Sequence, residues 1–198
     1  MPITSWVNKV RIACAFSGAL LLALSPNGLA GDLDWIAQRN GQVPLQVPGG
    51  GLHKLRLSEN AEGIYYDGSL HPVLGRHFMP IFEVVPSTPD RSQSYCGAGQ
   101  EVWLVVYEQS ATVLRQQARE LVSSCLHSIS LASQNSGLAS QDTDFSSVQW
   151  SGEGFSIEWF YKADEAGKRL ASTEYLWHGH RFERRDLLPV GEQLPRQQ

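Results

Sequence analysis

From Phe155 to Glu183 the chain alternates apolar and polar residues with a period of two, broken by two turn signals, a pattern that fits antiparallel strands and not helices. Glu165-Ala166-Gly167 predicts a three-residue turn that pairs Asp164 with Lys168 and holds Gly167 in the left-handed region. In Trp177-His178-Gly179-His180 a two-residue turn at His178 and Gly179 pairs Trp177 with His180 and Tyr175 with Phe182. Carried back, the registers set Tyr161 opposite Ala171, Trp159 opposite Thr173, Ile157 opposite Tyr175 and Phe155 opposite Trp177. Phe155, Ile157, Trp159, Tyr161, Tyr175, Trp177 and Phe182 then share one face, and Ser156, Glu158, Ser172, Glu174, Arg181 and Glu183 the other. The aromatic face reads as core. Exposure of Trp159 and Trp177 side by side would instead make it a platform for sugar rings.

Upstream, residues 1–30 read as a cleaved signal peptide: Lys9 and Arg11 precede an apolar run of about a dozen residues, and Gly28-Leu29-Ala30 is a small-x-small cleavage site. Pro26 and Asn27 stop the run short of the roughly 20 residues a membrane span needs. Cys14 lies inside the run and not at the cleavage point, so no lipid or stable membrane anchor is expected. Residues 31–198 are then a single exported domain, periplasmic or secreted, long enough for a sizeable core. Cleavage removes two of the 16 basic residues and none of the 20 acidic ones, for a net charge of about −6. That balance argues against a nucleic-acid partner, whose phosphates need a basic footprint.

Cleavage also removes Cys14 and leaves Cys96 and Cys125, which in an oxidising compartment predict one structural disulfide across a loop of about 30 residues. Between the ends of the domain, residues 32–40 suggest a short amphipathic helix terminated by Gly41, and the Pro/Gly-rich residues 42–51 a connector. Residues 52–57 and 64–66 read as strands, with Asp67-Gly68 a hairpin signal. A further apolar run over 79–85 ends at Pro86, and 102–107 is apolar enough for an inner strand. Residues 111–123 carry apolar side chains at three- and four-residue spacings and predict a helix; 124–132 fit either helix or strand, and 133–147 a polar surface loop. The expected fold is mainly β, a β-rich α+β class: an antiparallel meander of hairpins with one or two short helices and one disulfide.

Catalytic signatures return little. No G-x-S-x-G elbow, H-E-x-x-H motif, Walker A sequence or dinucleotide fingerprint is present, and no cofactor is expected. Asp142 and Asp144 fall in the polar loop and Glu158 and Glu174 on the polar face, where charges are ordinarily solvated. His71, His77, His178 and His180 are weak metal candidates, since nothing in their spacing forces their nitrogens to converge to about 2 Å from one ion. The chain therefore reads as an exported, non-catalytic binding or accessory protein of the bacterial cell envelope. Its expected partner is a protein, as for an inhibitor of a wall-degrading or toxin enzyme, engaged through an exposed apolar patch or a protruding loop such as 86–99 or 133–147. The alternatives are a glycan-binding module and a secreted hydrolase whose site only the fold assembles.

Overall fold

The computed structural model describes residues 33–87, 96, 99–111 and 113–190. The segment read as a signal peptide lies outside the described residues, as does most of the 86–99 loop. The strands are β1 (Asp34–Ala37), β2 (Gln42–Val47), β3 (Gly51–Arg56), β4 (Gly63–Tyr66), β5 (His71–Val73), β6 (Arg76–Pro86), β7 (Gln100–Ser110), β8 (Val113–Ser124), β9 (Ser130–Leu131), β10 (Val148–Ser151), β11 (Gly154–Tyr161), β12 (Ser172–His178) and β13 (Arg181–Leu187). The fold is mainly β and its ladders are antiparallel, with two single 3₁₀ turns, Ser133–Asn135 and Gln141–Thr143, as the helical elements among the described residues.

The larger sheet runs β1-β4-β6-β7-β8, with β5 also paired to β6, and the smaller runs β10-β11-β12-β13, with β9 paired to β11. The ribbon β2-β3 forms a third layer. Alternation in the two central strands explains the layering: Phe78, Phe82 and Val84 of β6 and Val102, Leu104 and Val106 of β7 face the smaller sheet, among Phe155, Ile157, Trp159, Tyr175 and Trp177. Their neighbours Met79, Ile81 and Val105 face the ribbon's Val43, Leu45, Val47 and Leu55. A strand covered on both faces must be apolar at consecutive positions, which is why 102–107 reads as an unbroken run. Pro80 is tolerated in β6 because it falls between the β4 ladder, which starts at Phe82, and the β5 ladder, which ends at Phe78.

Several expectations need correction. Residues 34–37 are strand β1, paired from Asp34↔Tyr66 to Ala37↔Gly63, and not a helix. Gly41 does not end a helix; Asn40 (φ 55°) and Gly41 (φ 72°) form a left-handed two-residue turn between Arg39 and Gln42. The Pro/Gly connector is the ribbon: Val43, Leu45 and Val47 alternate inward, and Pro44 is harmless in a strand paired on one side only. Gly68 is left-handed as the Asp67-Gly68 signal requires, but β4 and β5 pair with β6 and not with each other. The predicted helix over 111–123 is β8. Two bulges, between Val102 and Trp103 and between Val106 and Tyr107, each add a residue to β8, and the interrupted alternation mimics helical spacing.

In the C-terminal meander the turn at 164–168 forms as expected: Asp164 N donates to Lys168 O at 2.8 Å, and Gly167 has φ 79°. Beyond it the ladder slips by two, pairing Phe155 with Tyr175 and Ile157 with Thr173. At the next hairpin His178 pairs with Arg181, so the turn residues are Gly179 and His180, and Trp177 faces Phe182. A slip of two leaves every side chain on its face. Trp159 and Trp177 are accordingly buried, at 5% and 4% exposure, and the aromatic face is core. Tyr161 is the exception, because a bulge between Trp159 and Tyr161 turns it outward to 46% exposure. The 133–147 loop is largely exposed but ends on a buried Phe145, stacked on Phe82 at 4.0 Å between centroids.

Candidate functional site

Five hairpin turns gather at one end of the molecule. His77 pairs with Gln109, which places the β5-β6 turn (Leu74, Gly75) beside the β7-β8 turn at Ala111. Gln109 Nε2 donates to Pro48 O at 3.1 Å and joins the ribbon's tip; Leu74 N donates to Gly152 O at 3.0 Å; and Trp177 N donates to Glu153 O at 2.9 Å, adding the β10-β11 turn beside the end of β12. Three apolar side chains project from this end: Leu52 near the ribbon tip, Leu74 and Val113, each more than half exposed. Leu74 also has φ 46°, a left-handed conformation that costs a non-glycine residue roughly 1 kcal/mol.

The histidines divide between the two surfaces of this region. His71 stacks face to face on Trp150 at 4.5 Å and meets Ser69 Oγ at 3.1 Å through Nε2. Burial pushes the His71 imidazole below its ordinary pKa, against the opposing pull of Asp67. His77, His178 and His180 are exposed, His178 with Glu183 at 3.9 Å. Among the described residues no group of three or more His, Cys, Asp or Glu side chains is placed to hold a metal ion. Asp142 and Glu158 are exposed and Asp144 and Glu174 half-buried; Asp144 caps Ser146 N at 2.9 Å, and Glu174 meets Arg185 at 3.7 Å.

The sequence did not reveal two side-chain chains that the fold assembles. In the first, Ser69 Oγ donates to Asp67 Oδ1 at 2.7 Å, so the His71 contact must be a donation from Nε2–H to the hydroxyl. A nucleophilic serine needs the reverse, its own proton passing to the imidazole. The second is likewise centred on a carboxylate: Ser124 Oγ donates to Glu101 Oε1 at 2.9 Å, with His127 Nε2 at 3.8 Å from the same oxygen.

A larger polar cluster ties β8 to the smaller sheet. The Glu120 carboxylate accepts from the Lys162 ammonium and the Tyr175 hydroxyl, with Arg184 Nη1 at 3.4 Å. Lys162 also donates to Leu121 O at 3.3 Å and lies 4.2 Å above the Trp159 ring. Trp159 Nε1 donates to Thr173 Oγ1 at 2.9 Å, which donates to Asp186 Oδ1 at 2.8 Å, which accepts in turn from Arg184 Nε at 3.0 Å. Burial lowers the Lys162 pKa against the Glu120 charge, while burial and Glu120 together raise that of Tyr175. Every member is partnered within the cluster, which makes it a clasp between sheets.

At the opposite end from the turns, the disulfide Cys96–Cys125 (Cα separation 5.8 Å) sits just beyond the Glu101↔Ser124 pair that closes the β7-β8 ladder. Beside it lies a shallow hollow of about 610 Å³, lined by Trp103, Leu121, His127, Ile129 and Tyr161 among others. A smaller one of about 290 Å³ adjoins it and adds Ser123, Ser130 and Cys125. Two of its walls are tied down. Arg119 lies 4.6 Å over the Trp103 ring and meets the buried Glu83 at 3.1 Å; Ser124 and Ile129 exchange two backbone hydrogen bonds of 2.9 Å.

No family model, curated protein or solved structure matches this chain. Among the described residues no helix is long and apolar enough to cross a membrane.

Proposed function

We propose that the protein is an exported, non-catalytic binding or accessory protein of the bacterial cell envelope, which engages a protein partner through its turn end. The observation that carries this reading is Leu74. A left-handed turn position favours Asn or Gly, and solvent disfavours a large apolar side chain; Leu74 combines both penalties at 64% exposure, and its bond to Gly152 O is a backbone one that does not repay a leucine side chain. A partner's apolar pocket would. The leader-like residues 1–30 and the disulfide support export to the periplasm or beyond, and a projecting knob suits an inhibitor that enters the cleft of a wall-degrading or toxin enzyme. The hydrolase alternative is disfavoured, because in both serine-histidine chains the hydroxyl proton is committed to a carboxylate.

Affinity capture from the native envelope with the disulfide-intact chain tests the reading. Wild type is expected to retain a stoichiometric protein partner. Leu74→Asn should be as stable as wild type or more so, by up to about 1 kcal/mol, yet lose the partner. Retention of the same partner by Leu74→Asn would overturn the assignment to the turn end, and no stoichiometric partner for wild type would overturn the function.

A further inference from the structure

We infer that the hollow beside the disulfide is a second, separate binding site, and that its ligand is a saccharide of at least two rings. The first argument is the placement of its aromatics. Trp103 and Tyr161 line the same hollow, and each directly follows a register break in its ladder, at Val102/Trp103 and at Trp159/Tyr161. Bulges re-aim side chains, and here one withdraws Tyr161 from an aromatic core that its alternation would otherwise have joined. The Arg119 guanidinium over Trp103, anchored on Glu83, holds that indole in place.

The second argument is the chemistry of the other lining groups. Ser123, Ser128 and Ser130 contribute hydroxyls, which both donate and accept, and His127 an imidazole; among the described residues no carboxylate, lysine or arginine lines either hollow. Flat aromatic surface flanked by neutral hydroxyl groups matches the apolar face and hydroxyl rim of a pyranose ring. An extended peptide is the weaker fit. It would need a free strand edge, but the β8 edge here is occupied at Ser124 by Ile129, and at Leu121 O by Lys162 Nζ. The two hollows share Ser128, Ile129 and Tyr161, so the site is elongated beyond a single ring.

The test is a two-dimensional amide and indole NMR titration of the disulfide-intact protein with cellobiose, N,N′-diacetylchitobiose and digalacturonate, each to about 20 mM. At least one should give saturable shifts at the Trp103 indole and at residues 128–130. Tyr161→Ala should weaken that binding about tenfold or more, whereas Phe160→Ala, which removes the neighbouring exposed ring that does not line the hollow, should leave it unchanged. Absence of saturable shifts with all three disaccharides would overturn the inference. So would binding that Tyr161→Ala leaves intact, or saturation of the hollow by an extended hexapeptide at concentrations where the sugars give none. Leu74→Asn should not change the titration, so failure here leaves the protein-partner reading untouched.

Discussion

Glu120 is the residue whose loss should cost most for the least change in volume. Its carboxylate, 11% exposed, neutralises Lys162, whose side chain is 8% exposed, and accepts from Tyr175 and Arg184. Glu120→Leu would leave the ammonium with Leu121 O and the Trp159 ring as its nearest partners and the Tyr175 hydroxyl with none from this cluster. Removing one partner of a buried pair costs about 3–5 kcal/mol. The contacts Lys162 keeps put the expected loss near the lower limit, about 3 kcal/mol, and the half-exposed Arg184 adds nothing to that figure. In a chain of this size that is a fall in Tm of roughly 10 °C. Glu120→Leu with Lys162→Met removes both charges and should return to within about 1 kcal/mol of wild type. Urea unfolding under oxidising conditions, followed by tryptophan fluorescence and circular dichroism, measures all four members of the cycle. The pH dependence separates charge from packing. A lysine whose folded pKa is depressed binds fewer protons folded than unfolded, so stability rises as pH climbs from the folded value toward 10.5. Without Glu120 the depression deepens, and the deficit of Glu120→Leu should shrink between pH 7 and 9.5. A loss below about 1 kcal/mol, or a double variant no better than the single, would refute the clasp.

Other outcomes follow from the same structure. A Cβ at Gly154 would meet Tyr175 O at 1.9 Å across the β11-β12 ladder, so Gly154→Ala should destabilise by about 3 kcal/mol, whereas Gly152→Ala, in open space, should be near neutral; thermal unfolding compares them. Burial pushes the hydroxyls of Tyr66 and Tyr107 up to about 12, so these groups stay protonated in the fold while the unfolded chain ionises near 10. Stability should therefore hold below pH 10 and fall steeply above it, and chemical unfolding at pH 9, 10 and 11 reads the slope. Tyr66 Oη also has no hydrogen-bond partner among the described residues, so Tyr66→Phe should be neutral or stabilising and should flatten that alkaline fall. His71 acts at the acid end: its depressed pKa makes stability decline as pH drops through 6.5, and His71→Gln should remove that component from a titration over pH 5–8.

Strands, the cysteine pairing and the burial of Trp159 and Trp177 were legible in the sequence because each depends on local alternation or on simple counting. Tyr161 shows where that reading runs out. Its parity puts it with the core, and only the tertiary pairing of β9 with β11 creates the bulge that expels it. The same holds for β8, whose two bulges disguise a strand as a helix, and for Asn40-Gly41, whose hairpin signature was present but was attached to the wrong element. The Glu120 clasp joins residues 42, 55 and 64 positions apart in sequence, so no spacing rule could assemble it.

The disulfide has a consequence for how the chain reaches this fold. Cys96 and Cys125 lie just outside the last rung of the β7-β8 ladder, so oxidation converts that hairpin into a covalent ring spanning a sequence separation of 29 residues. That ring survives unfolding. An oxidised chain begins each folding attempt with the ends of two long central strands already held together and the loop-closure entropy of that search removed. The hairpin is then the natural nucleus, on which β6 and afterwards the distant smaller sheet can assemble, and the reduced chain should reach the same ladder more slowly, by a search over many competing registers.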